Sequence, residues 1–196
     1  MAGEDEEEAD GRMIVWPLER LARVMRAREH EGGLNPAQWE ALRFLARANR
    51  FSNSPGALTR YLGATKGTIS QTIIALERKG YISKSARAGG RKTLSLSLTP
   101  KGEEMLKRDP WAEVAAAAQD LGGKTRRRLH RGLSALLAGE LERAGLASFG
   151  LCTSCRFFRE KGRMQDSGGP HLCMLFEHPL TQEDSGRICM AHEPRG

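Results

Sequence analysis

The chain of 196 residues holds no apolar run approaching the ~18 residues that a bilayer span requires. Its first residues are acidic, whereas secretory and mitochondrial leaders open with basic residues, so neither leader is expected. Four Cys are too dilute to hold together a disulfide-dense secreted module. A Walker loop, a dinucleotide fingerprint and a G-x-S-x-G elbow are all missing, so no catalytic motif is detectable and no enzyme is expected. These absences predict a soluble, cytoplasmic protein. At ~100–200 residues per domain, the length fits one domain with an appendage or two small ones.

What is present is unevenly distributed. Residues 1–11 carry six acids, Glu4, Asp5, Glu6, Glu7, Glu8 and Asp10, and no base. Residues 12–149 carry 25 Lys/Arg against 12 Asp/Glu, while residues 150–196 carry six of each and all four Cys. The formal net charge of +7 therefore averages three parts: an acidic tail expected to be disordered, a polyanion-binding segment, and a neutral end with another task. Charge and cysteine thus divide the chain into the same domains: 1–11, 12–149 and 150–196.

Along the basic segment, Ile14, Leu18, Leu21 and Met25 fall at helical spacing and predict an amphipathic helix to about His30. Asn35-Pro36 supplies a cap and a first-turn proline for a second helix containing Trp39, Leu42, Phe44 and Leu45, to about Asn49. Ser54-Pro55 opens a short helix with Leu58, Tyr61 and Leu62, and Gly63 stops it. Thr65 caps the next, in which Ile69, Ile73 and Leu76 share one face until Gly80. Two helices joined by so short a Gly-containing turn are the sequence form of a helix-turn-helix. After Gly80 the period changes from 3.6 to 2. Tyr81-Ile82 begin a strand, residues 87–92 form a Gly-centred basic loop, and Leu94, Leu96 and Leu98 return as a second strand. Thr99-Pro100 caps a new helix, Asp109-Pro110 restarts or kinks it, the Ala-rich stretch from Trp111 to Leu121 carries it on, and Gly122-Gly123 precedes a last long helix over about Thr125–Ala144. Trp16, Trp39 and Trp111 are expected in the core or an interface. The fold class is mainly α with a small β-hairpin wing.

In such an arrangement the second helix of the pair enters the major groove. Thr65, Lys66, Thr68, Ser70, Gln71 and Thr72 would then reach base edges and nearby phosphates. The hairpin tip, with Arg87, Arg91 and Lys92, would lie along the backbone or in the minor groove. The runs Leu34-Asn35-Pro36-Ala37-Gln38-Trp39-Glu40-Ala41-Leu42-Arg43-Phe44-Leu45, then Thr68 to Ile82, then Leu96-Ser97-Leu98-Thr99-Pro100-Lys101-Gly102, occur in an order that resembles a MarR-type winged-helix regulator. The resemblance covers about Ile14 to Ala144. It implies an obligate homodimer, in which the first helix and the last two form the dimer interface and hold two winged helices over a palindromic DNA site. The family's wing often carries an acidic residue that arranges its arginines, and Ser85 to Arg91 lacks one. Apolar stripes on the helices at both ends of the segment independently call for a symmetric partner.

The neutral end spaces its cysteines as Cys152-x2-Cys155, 17 residues, Cys173, 15 residues, and Cys189-x2-His192. A C-x2-C turn places two thiolates on one metal, and the loops around Gly168-Gly169-Pro170 and Pro179 allow later ligands to return. The segment is poor in core residues, so a metal would supply the missing stability. Zinc would take Cys152, Cys155, Cys189 and His192 and leave Cys173 unexplained. An iron-sulfur cluster would take Cys152, Cys155, Cys173 and Cys189 with no Cys left over, which tilts the reading toward the cluster. Metal-free thiols forming a reversible disulfide are the third possibility. His171 and His178 read as loop residues. The whole predicts a dimeric DNA-binding transcriptional regulator whose cysteine module senses redox state, oxygen or metal and changes the spacing of the recognition helices through the dimerisation helix. A regulator with a small phenolic effector and a purely structural zinc is the alternative, and an electron-transfer protein the more distant one.

Overall fold

The computed structural model describes residues 10–31, 33–86 and 94–195. The acidic tail up to residue 9 and the hairpin tip with Arg87, Arg91 and Lys92 lie outside the described residues. Among the described residues, no helix is long and apolar enough to cross a membrane.

Local chemistry sets the helix boundaries. Helix α1 (Gly11–Glu31) begins before Ile14 because the Asp10 carboxylate accepts from the Arg12 amide at 3.1 Å. Asn35 and Gln38 form a reciprocal capping box at the start of α2 (Pro36–Arg47). Ser54 caps α3 (Pro55–Leu62), and Thr65 caps α4 (Lys66–Arg78). Each such cap is worth about 1 kcal/mol. The α3–α4 turn is carried by Gly63 at φ 60°, a left-handed conformation that costs a residue with a Cβ.

Strands β1 (Ile82–Ala86) and β2 (Leu94–Leu98) pair antiparallel, with Ile82 opposite Leu98. Thr99 and Asp109 cap α5 (Pro100–Leu106) and α6 (Pro110–Asp120), whereas α7 (Gly123–Arg143) follows Gly122 with no side-chain cap. Trp39, Leu42, Phe44, Leu58, Ile69, Ile73, Leu76, Ile82 and Leu96 close into one core that unites α2, α3, α4 and the hairpin. Helix α5 sits so close to the hairpin that a Cβ on Gly102 would lie 2.1 Å from the Tyr81 carbonyl oxygen.

The two ends of this unit are different. Helix α7 contains no buried residue, and its Leu129, Leu136 and Leu137 stand exposed. On α1, Met13, Ile14 and Val15 are exposed as well, and Trp16 is 68% exposed. Trp39 is fully buried, as expected of a core tryptophan, but Trp16 has no core around it within one chain.

Residues 150–195 fold into short strands. Strands β3 (Gly150–Leu151) and β7 (Ile188–Cys189) pair with each other. Strands β4 (Phe158–Arg159), β5 (His171–Cys173) and β6 (His178–Leu180) form a separate antiparallel sheet, and α8 (Gln182–Ser185) links β6 to β7. The small core of Cys152, Cys155, Phe158 and Leu180 is joined by Phe51, which belongs to the connection between α2 and α3. A segment too poor in apolar residues to close a core alone thus borrows one from the winged helix.

Candidate nucleic-acid interface and cysteine site

Helix α4 is oriented by Ile69, Ile73 and Leu76, which are buried in the core. The opposite side is open: Lys66, Ser70, Gln71, Ile74, Glu77 and Arg78 are exposed and recur at three- and four-residue intervals, so they form one stripe. At its leading edge, the Thr65 hydroxyl accepts from the Thr68 amide at 3.2 Å and lies 2.9 Å from the Thr68 hydroxyl. The helix N-terminus and Lys66 suit a phosphate, and Ser70 and Gln71 carry the donors and acceptors that read base edges. Thr72, expected among the reading residues, is instead buried, and its hydroxyl donates to the Thr68 carbonyl at 3.0 Å. Position 72 lies on the Ile69–Ile73 side of the helix, so its side chain is turned from the open face. Ile74, 47% exposed, stands on that face and offers an apolar contact for a thymine methyl. Lys84 of β1 donates to Glu77 at 2.6 Å, which ties the wing to α4.

An open cleft lies between α1, α2, α3, α6 and α7, with Arg26, Glu40, Arg43, Tyr61, Trp111, His130 and Phe149 in its walls. Burial raises the Glu40 carboxyl above its ordinary range against the opposing charge of Arg43.

All four cysteines line one small apolar cavity of about 10 Å3, room for about one water molecule. Phe51, Phe157, Phe158, Leu175, Phe176 and Leu180 form its apolar wall, and Phe51 stacks on Phe176 with ring centroids 4.5 Å apart. The four thiols are free, not disulfide-bonded. Among the described residues, no three His, Cys, Asp or Glu are arranged to hold a metal ion. Burial pushes the Cys152 thiol up to about 12, and Cys189, Cys173 and Cys155 add to the rise while a hydrogen bond from Asn49 opposes it. Several thiolates cannot share this cavity unless a cation neutralises them.

The histidines have other partners. His171 is buried, its Nδ1 accepts from the Lys161 amide at 3.1 Å and its Nε2 lies 2.7 Å from the Gln182 side-chain oxygen. His178 Nδ1 lies 2.9 Å from the Pro179 carbonyl, and His192 Nε2 lies 3.0 Å from the Ser154 hydroxyl. Burial lowers the His192 imidazole below its ordinary range, and none of the three lines the cysteine cavity.

Residues 32–92 match the MarR family model. The stretch runs from the start of α2 to the edge of the returning wing strand. FabT of Streptococcus pneumoniae, solved in complex with DNA, is 21% identical, with 69% of this chain and 99% of that chain covered at a TM-score of 0.54. A MarR-family transcriptional regulator from Silicibacter pomeroyi is 20% identical, with 67% and 90% covered at a TM-score of 0.52. NadR, solved with 4-hydroxyphenylacetate, is 18% identical, with 69% and 97% covered at a TM-score of 0.50. At these identities the likeness concerns the fold. Among curated proteins, none matches the chain.

In this winged helix, Thr65, Lys66, Thr68, Ser70 and Gln71 lie together at the exposed start and face of α4. The four cysteines come together as well. Sequence reasoning did not single out Ile74, although its place three residues after Gln71 and four after Ser70 was readable. It also missed Asn49, whose side-chain amide donates to Cys152 Sγ at 3.9 Å. Nothing local to Asn49 signals a cysteine 103 positions away.

Proposed function

We propose that the protein is a homodimeric, sequence-specific DNA-binding transcriptional regulator acting in the cytoplasm, with the four-cysteine site as its input for redox state, oxygen or metal. The carrying observation is the exposed stripe of Lys66, Ser70, Gln71 and the apolar Ile74 on α4 of a winged helix whose residues 32–92 match the MarR family model. One of its structural neighbours, FabT, is solved in complex with DNA, which favours DNA as the partner here. Dimerisation accords with the unburied apolar faces of α1 and α7, since a second copy is the partner a two-half-site operator needs.

Cys152, Cys155, Cys173 and Cys189 are the residues that would hold an iron-sulfur cluster. The donor chemistry suits such a group: four free thiols line one apolar cavity, and a cluster prefers four thiolates. Cys173 lines the cavity and His192 does not, which disfavours the two-pair zinc arrangement. When bound, such a cluster supplies an oxidisable, oxygen-sensitive group. The chain's own part is to exclude water with Phe51, Phe157 and Phe158 and to donate a hydrogen bond from Asn49 to one sulfur.

Anaerobically purified protein tests both halves. Iron and sulfide with broad visible absorption, lost in Cys173→Ser, are the expected result; colourless protein with one zinc per chain supports a staple, and neither metal overturns the site. Affinity for duplex DNA is expected to fall steeply as salt rises, and a flat profile overturns the DNA reading. The cleft holding Glu40, Arg43, Tyr61, Trp111 and His130 favours a second reading, in which a phenolic acid of the kind seen with NadR is the effector. Addition of 4-hydroxyphenylacetate to the same binding assay tests it.

A further inference from the structure

The seven residues between α2 and α3, 48–54, have the cysteine module on one side and the DNA-reading elements on the other. On the module side, the Asn49 amide donates to the Ile188 carbonyl at 3.0 Å, and Ala48 forms a parallel bridge with Ile188. The Met190 amide donates to the Ser52 hydroxyl at 2.8 Å, so the residues on both sides of Cys189 are tied to this connection. Arg50 Nε donates to Asp184 Oδ2 at 2.7 Å, and Arg50 Nη2 bonds the same oxygen. The Asn49 side chain reaches Cys152 itself.

On the other side, the Asn53 carbonyl accepts from the Leu96 amide of the wing at 2.7 Å. The Ser54 hydroxyl accepts from the Ala57 amide at 3.2 Å and so caps the first helix of the helix-turn-helix. Asn49 and Ser52 are both fully buried, and internal hydrogen bonds from Ser52 to Asn49 and from Ser54 to Ser52 brace the connection. It is therefore packed from both sides, and a displacement at the sulfurs has no slack in which to dissipate.

We propose that the state of the cysteine site reaches DNA through residues 48–54 within each protomer, by shifting the α3 cap and the wing strand. This replaces transmission along α7 as the route, and it rests on the sensing role given above to the cysteines. Loading the four thiols draws Cys152 and Cys189 toward a common centre. Asn49, Ser52 and the Arg50–Asp184 pair follow, and Asn53 and Ser54 carry the change to β2 and α3. Dimer contacts are not required to change.

The test compares full-length protein reconstituted anaerobically with ferrous iron and sulfide against protein stripped with a chelator. Its probe is a palindromic duplex selected from randomised DNA by the wild-type protein. Couplings between sites are typically of order 5–150-fold in affinity. The expected result is a loaded-to-stripped affinity ratio in that range for wild type, reduced at least threefold in Asp184→Asn and in Ser52→Ala, both retaining the visible absorption of the loaded site. Hydrogen–deuterium exchange on wild type supplies a second readout that needs no variant: removal of the metal should raise exchange at residues 49–58 and 94–98. If wild type shows no metal-dependent change in affinity, the sensing role falls and this route with it. If wild type responds, both variants respond in full, and exchange changes only in α7, the route alone is overturned.

Discussion

Arg43 shows how single side chains bind the N-terminal and C-terminal parts of the winged-helix unit. Its guanidinium donates to Glu29 Oε1 at 2.6 Å and to Asp109 Oδ1 at 3.0 Å, and the Trp111 indole N–H donates to the same Glu29 oxygen at 3.2 Å. Three helices, α1, α2 and α6, meet at this buried cluster. Arg43→Ala would leave two carboxylates buried without a counter-charge, which costs about 3–5 kcal/mol. At ~2–4 °C per kcal/mol for a chain of this size, thermal unfolding should occur on the order of 10 °C lower. A change under about 2 °C would mean that water replaces the guanidinium. Asp184 is the second instructive residue. Burial alone would raise its carboxyl, but hydrogen bonds from Arg50 and Thr181 outweigh that and hold it below the ordinary carboxylate range. Its contribution to docking the module is therefore complete above the unfolded-state value and is lost as pH falls through the folded one. Neither cluster was legible beforehand, because Arg43 meets partners 14 and 66 positions away and Arg50 meets one 134 away.

At the scale of the element, the sequence was read most successfully where boundaries depend on local chemistry. Asn35, Ser54, Thr65 and Thr99 read as helix starts and are, because a cap is a bond between a side chain and an amide two or three residues later; Asp109, which could restart or only kink a helix, caps a separate one. Periodicity placed Ile69, Ile73 and Leu76 inward, but it did not settle Thr72, a small polar residue at the margin of the buried face. The exposed face of α4 separates two kinds of contact. Lys66→Ala should weaken DNA binding to all sequences about equally and lower the salt slope by about 1. Gln71→Ala should cost about 1–3 kcal/mol on the preferred operator and relax discrimination at one base position. Competition between specific and nonspecific duplexes separates the two, and equal losses on both duplexes for Gln71→Ala would remove it from the reading set.

At the scale of the whole molecule, one chain leaves apolar surface uncovered. Leu129, Leu136 and Leu137 on α7 and Trp16 on α1 remain exposed, more apolar surface than the winged helix itself can cover. Leu136→Glu should therefore shift the protein from dimer to monomer in sedimentation and weaken operator binding, since two recognition helices must be held one helical turn apart. A dimer unchanged by that substitution would place the interface elsewhere. By itself the sequence determined the order of elements, the helix-turn-helix with its wing, and the set of four cysteines, because caps, hydrophobic period and residue chemistry are local properties. Only the tertiary structure decided that Cys173 shares a cavity with Cys152, Cys155 and Cys189, that His192 does not line it, and that residues 48–54 touch both the Cys152 sulfur and the wing. Those facts depend on which distant surfaces pack together, and close packing, unlike a cap or a period, has no signature in any short stretch of sequence.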